Sequence, residues 1–84
     1  MGLEAIEFII RIEQTFGIQI EDSEAEKLRT LGDLEQLVIQ KLEAEQRSST
    51  GVFEAIVRVL VEEFDRESAR LDRQTSFVND LDFT

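Results

Sequence analysis

Few kinds of side chain in this sequence could do chemistry. There are 19 Asp and Glu residues but no Cys and no His, which excludes disulfides, thiolate nucleophiles, imidazole bases and the usual zinc ligands together. Carboxylates and hydroxyls remain. Paired carboxylates can perform acid–base work or hold a hard cation, and their densest cluster is Glu21, Asp22 and Glu24 around Ser23. Its spacing does not match a calcium loop, and it lacks the glycine on which such a loop turns. The chain by itself therefore reads as a non-enzyme. Among the hydroxyls, Ser48, Ser49, Ser68 and Ser76 stand in polar, loop-like surroundings where solvation or capping is the ordinary role. Glu13 falls within an apolar arc, where a carboxylate needs hydrogen-bond donors or solvent access, and its expected role is structural.

With nine Lys and Arg residues, the formal net charge is -10. Phosphate backbones and anionic lipid surfaces repel such a molecule as a whole, so neither nucleic acid nor a membrane is an expected partner. The same field would steer a basic patch on another protein toward it, at a rate that falls as salt screens the charge. No apolar run approaches the roughly 20 residues of a membrane span, and the start lacks the pattern of a signal peptide. The expected location is the cytoplasm. At 84 residues the chain has room for one domain with a modest core.

Four segments emerge from periodicity and capping residues, since proline is absent and glycine occurs only at positions 2, 17, 32 and 51. From Gly2 to Phe16, Leu3, Ile6, Ile9, Ile10, Ile12 and Phe16 recur at helical spacing, with Glu4, Glu7, Arg11 and Gln14 on the opposite arc. Arg11 can pair with Glu7 at i, i+4, and Gly17 fits a helix stop. Residues 17–22 alternate like a strand but have no strand to pair with, so they read as an extended loop. Ser23 with Glu26 has capping-box spacing, as has Thr30 with Asp33. Leu31, Leu34, Val38 and Leu42 then mark a helix of about three turns. Residues 43–51 lose the apolar pattern and read as a linker. Beyond it, Val52, Phe53, Ile56, Val57, Leu60 and Phe64 define a helix, with Glu54, Arg58, Glu62 and Asp65 facing water. Residues 65–75 read as a long loop pinned by Leu71, and Phe77, Val78, Leu81 and Phe83 form an apolar tail that must dock.

In these segments the chain resembles an acyl carrier protein with its halves in exchanged order. Residues 1–42 resemble that family from its second helix to its last: Gly2 to Glu7, Glu13, Phe16 to Ile18 and Ala25 to Leu34 fall on the family pattern without a gap. Residues 52–84 resemble the family's first helix and first loop. Glu62, Glu63 and Phe64 close that helix, and Thr75 to Leu81 match the segment leading into the serine motif. The resemblance implies an all-α fold, an acyl-carrier-like four-helix bundle, circularly permuted, with residues 1–84 as one domain and 43–51 as the linker. A permuted monomer is favoured, because closing so short a linker costs little. A domain-swapped dimer satisfies the same pattern. Phe77 and Leu81 are then expected beside Leu3 and Ile6.

The resemblance also implies the site. The family attaches 4'-phosphopantetheine to a serine at the start of its second helix, and Gly2 stands there without a hydroxyl. No covalent arm is therefore expected at Gly2. Thr84, next in the circular register, is one residue off. Glu4, Glu7, Glu21 and Asp22 match positions where the family presents carboxylates to basic patches on acyl-processing enzymes. The implied function is a carrier or partner-binding module related to fatty acid or polyketide-type biosynthesis, its attachment serine missing. The alternative is a non-acylated structural or oligomerisation module.

Overall fold

Several helix boundaries in the computed structural model, which describes residues 3–83, have a local chemical cause. The first helix, α1, runs Leu3–Phe16. It stops at Gly17, whose φ of +64° lies in the left-handed region, and the Ile18 amide then donates to the Glu13 carbonyl at 3.1 Å. Glu13 acts a second time: its carboxylate accepts from the Ile20 amide at 2.7 Å. One residue thus turns the chain out of the helix and holds the extended stretch that follows, in which Ile18 and Ile20 are buried.

The single turn α2 spans Asp22–Ala25. It is capped two residues earlier than the Ser23 and Glu26 spacing suggests. The Glu21 amide donates to the Glu24 carboxylate at 2.9 Å, a reach-back bond that Glu26 lies too far along to make. The next helix, α3, runs Leu31–Ala44 and starts as its sequence predicts. The Asp33 amide donates to the Thr30 hydroxyl, and the Thr30 amide to the Asp33 carboxylate, each at 3.2 Å. Leu31, Leu34, Val38 and Leu42 are all buried, as their spacing requires. The helix continues to Ala44, two residues past Leu42.

Between α3 and α4 (Val52–Glu63) the polar segment is anchored rather than free. The Arg47 guanidinium donates to the carbonyls of Phe16 and Gly17, two of the acceptors that the end of α1 leaves without helical partners. Along α4, Val52, Ile56, Val59 and Leu60 are buried while Glu54, Arg58, Glu62 and the following Asp65 are exposed. Residues 65–75 contain one short 3-10 turn, Ser68–Arg70, and are fastened to α3. Arg73 grips Glu35 with two bonds, Nε to Oε1 at 2.7 Å and Nη2 to Oε2 at 3.0 Å, and lies over the Phe53 ring at 4.5 Å.

Residues 75–83 return to the beginning of the molecule. Thr30 and Ser76 form an isolated antiparallel bridge, and Phe77, Leu81 and Phe83 enter the core. Phe8 is their hub: its ring centroid lies 5.5 Å from those of Phe64 and Phe83 and 6.1 Å from that of Phe77. The structure is all-helical, with four α-helices among the described residues, as an acyl-carrier-like bundle requires.

The buried face of α1 differs from the arc that the sequence suggests. Ala5, Phe8, Ile9 and Ile12 face the core, at i, i+3, i+4 and i+7, whereas Leu3, Ile6 and Ile10 are exposed at 73%, 44% and 46%. The helix is apolar around most of its circumference, so periodicity alone cannot choose the face. The tail settles it by packing on Phe8 instead of beside Leu3 and Ile6. Glu7 and Arg11 do not form the expected pair either: Arg11 Nε reaches Glu63 Oε1 on α4 at 2.6 Å.

Candidate functional site

Two of the sequence-derived positions, Gly2 and Thr84, lie outside the described residues. The surface that follows Gly2 is well defined. α1 buries one face and turns Leu3, Ile6 and Ile10 outward in a line, one helical turn apart. Glu4 and Glu7, both exposed, flank that line. Glu4 is partly neutralised by Arg66, 3.5 Å away. Glu7 sits in a shallow depression with Ile10, Arg11 and Glu63, toward α4.

On the other side of the line, Ile6 shares a depression of about 180 Å³ with Asp22, Ala25 and Glu26 of the α2 region. Asp22 therefore belongs to the same surface as Glu4 and Glu7, and Glu26 joins it. Glu21 does not. It lines a separate hollow with Ile18, Lys41 and Ala44. Of the four carboxylates expected at a partner surface, three stand around one apolar line and the fourth stands apart. Lys41 holds α2 in place through Glu24, at 2.9 Å.

A larger apolar depression, about 670 Å³, opens between the start of α1 and the returning tail. Ala5, Leu28, Phe77, Val78 and Phe83 provide its apolar walls, and Arg29 stands among its polar residues. Sequence reasoning missed this feature because it depends on how the tail docks. The exposure of Val78, at 57%, marks the same region.

Residues 3–38 match the family model described as "Phosphopantetheine attachment site". Over that stretch the chain is similar to this family. Over 32 residues it is 48% identical to an acyl carrier protein of Lactobacillus acidophilus, covering 38% of this chain and 40% of that protein. Over 43 residues it is 40% identical to an acyl carrier protein of Thermosynechococcus vestitus, covering 51% of this chain and 53% of that one. The chain thus spans about half the length, or less, of the curated relatives that it matches. No solved structure matches significantly.

The group implied by the matching family is 4'-phosphopantetheine, whose covalent attachment needs a hydroxyl. The first turn of α1 offers Leu3, Glu4, Ala5 and Ile6, none with a hydroxyl. The only serine within the matched span, Ser23, sits inside α2. Elsewhere, the Ser76 oxygen accepts from the Asn79 amide at 3.1 Å, the Ser48 oxygen accepts from the Thr50 amide at 3.2 Å, and Ser49 donates to Glu43 at 3.3 Å. These are the local roles expected of them. Among the described residues no group of three or more Asp or Glu is arranged to hold a metal ion, and no helix is long and apolar enough to cross a membrane.

Proposed function

We propose that this chain is an acyl-carrier-type module whose working part is its surface. It presents the α1 face to a basic enzyme of acyl metabolism, without a covalent arm at Gly2. The observation that carries this reading is the outward line of Leu3, Ile6 and Ile10 with Glu4, Glu7 and Asp22 around it. Apolar residues at helical spacing supply the area a partner groove would bury. The carboxylates select a groove with a basic rim and accelerate the encounter. The exchanged order of the halves is read as a circular permutation within one chain, a reading supported by the packing of residues 77–83 on Phe8 of the same chain.

The test is binding to a basic acyl synthase or transferase as salt is raised. Affinity falls steeply with salt, and the double substitution Glu4→Lys and Glu7→Lys abolishes binding, whereas Glu21→Lys leaves it unchanged. Equal losses from all three positions would point to a diffuse charge effect and overturn the assignment.

The alternative is a structural module in which a second copy covers the same apolar line, by direct pairing or by segment exchange. Exposure of Leu3 at 73% favours a covering partner of some kind. The net charge of -10 on each copy opposes self-association. Solution mass across a concentration series separates the two readings.

A further inference from the structure

The tail is organised differently from the rest of the fold. From Ser76 to Phe83 its polar groups are satisfied mainly within the segment. The Ser76 amide donates to the Asp80 carboxylate at 2.7 Å, and the amides of Asp80 and Leu81 both donate to the Ser76 carbonyl at 3.0 Å. The Asn79 amide donates to the Ser76 hydroxyl at 3.1 Å. Asp82, at φ +58°, turns the chain so that the Phe83 amide reaches the Phe77 carbonyl at 2.8 Å. A segment closed in this way can leave its site without exposing many unpartnered groups.

Its polar attachments to the bundle are few. The Phe77 amide donates to the Arg29 carbonyl, and the Leu31 amide to the Thr75 carbonyl, each at 3.0 Å. Among the described residues the remaining polar attachment is Arg66, which follows α4. Its Nη2 donates to the Leu81 carbonyl at 2.9 Å, its guanidinium lies over the Phe83 ring at 5.3 Å, and it pairs with Glu4 at 3.5 Å. One side chain therefore ties the tail to α4 and to the first turn of α1. A charged donor on a carbonyl is among the stronger single hydrogen bonds available here.

We propose that residues 76–83 form a lid that undocks as one unit, with Arg66 as its latch. Closed, the lid places Phe77 and Phe83 against Phe8 and forms one wall of the large apolar depression. Open, it uncovers Phe8 and widens that depression while the packing of α3 on α4 stays intact. The segment belongs to the class of local openings that need far less free energy than global unfolding. This lid rests on contacts within the chain and shares only Glu4 with the proposed α1 face.

Amide hydrogen exchange on the full chain tests it. Replacing Arg66→Met keeps the apolar stem but removes the hydrogen bond and the ion pair. Exchange at Phe77, Leu81 and Phe83 then accelerates together, on the order of tenfold, while Val38 in α3 and Leu60 in α4 keep their rates. If Arg66→Met does not fold, Glu4→Gln removes only the exposed contact of the latch and gives a smaller joint acceleration of about twofold. Equal acceleration of Val38, Leu60 and the tail would show that the tail opens only with the whole fold, and overturn the proposal. So would tail amides that respond independently of one another, or not at all.

Discussion

The rings of Phe8 and Phe83 meet with their centroids 5.5 Å apart, although one lies on the first helix and the other at the far end of the sequence. Both residues are almost fully buried, at 0% and 3%, so this contact joins the two halves of the chain in a single core. Phe8→Ala should cost about 3–5 kcal/mol in urea unfolding, as large-to-small core substitutions do. A cycle with Phe83→Ala should give a coupling of about 0.5–1.5 kcal/mol, the range for aromatic pairs. Strict additivity would mean that the tail does not pack on α1.

Glu35 and Arg73 form the second long-range fastening. The Glu35 side chain is 10% exposed and that of Arg73 is 60% exposed, so losing the arginine strands a largely buried carboxylate. The Glu35 hydrogen bond raises the Arg73 pKa above its ordinary value, which keeps the guanidinium charged. Arg73→Ala should destabilise the wild-type chain more than it destabilises a Glu35→Gln background, as read from urea midpoints. Equal effects in the two backgrounds would show that the pair contributes nothing beyond packing.

Gly32 permits the loop to approach α3. Its amide donates to the Arg73 carbonyl at 2.8 Å, and a Cβ built on Gly32 would stand 2.9 Å from that oxygen. Main chain cannot yield as the end of a side chain can. Gly32→Ala should therefore cost about 1–3 kcal/mol, the range for overpacking, and thermal unfolding checks it. A neutral result would place the loop farther from the helix.

The link between α2 and α3 should weaken in acid. The Glu21 amide, with Lys41 adding to it, holds the Glu24 carboxyl below its ordinary value. A carboxyl depressed in the folded state stabilises the fold above its unfolded pKa, and that contribution is lost as pH falls through the folded value. Amides of Ala25 and Leu28, followed from about pH 7 to about pH 3, should lose protection through and below the usual carboxylate range. Glu24→Gln should lower their protection already at neutral pH and flatten the response. Identical profiles for the two proteins would contradict the assignment.

Helix existence was legible in the sequence wherever one face was clearly apolar. Leu31, Leu34, Val38 and Leu42 defined α3, and Thr30 with Asp33 fixed its start. Gly17 marked the end of α1, and the structural role expected of Glu13 appears as the bond to the Ile20 amide. The core face of α1 was not legible, because four isoleucines spread apolar surface around it and only the docked tail shows that Phe8 points inward. Nor were the pairs Glu35 with Arg73 and Arg47 with Phe16, since these join residues remote in sequence and carry no local pattern. The carrier resemblance pointed to Glu4, Glu7, Glu21 and Asp22 as one surface, and the structure sets Glu4, Glu7 and Asp22 around one apolar line. That Glu21 stands elsewhere, and that Leu3, Ile6 and Ile10 face outward, follows only from the packing of α2 and the tail around α1.

The central claim is a carrier-type surface without a carrier arm, and intact-mass analysis tests it most directly. The full chain is incubated with coenzyme A and a phosphopantetheinyl transferase, beside a conventional acyl carrier protein as the positive control. The mass of this chain should stay unchanged while the control gains its arm. A gain equal to one phosphopantetheinyl group would contradict the claim and require an attachment hydroxyl other than the residue at position 2.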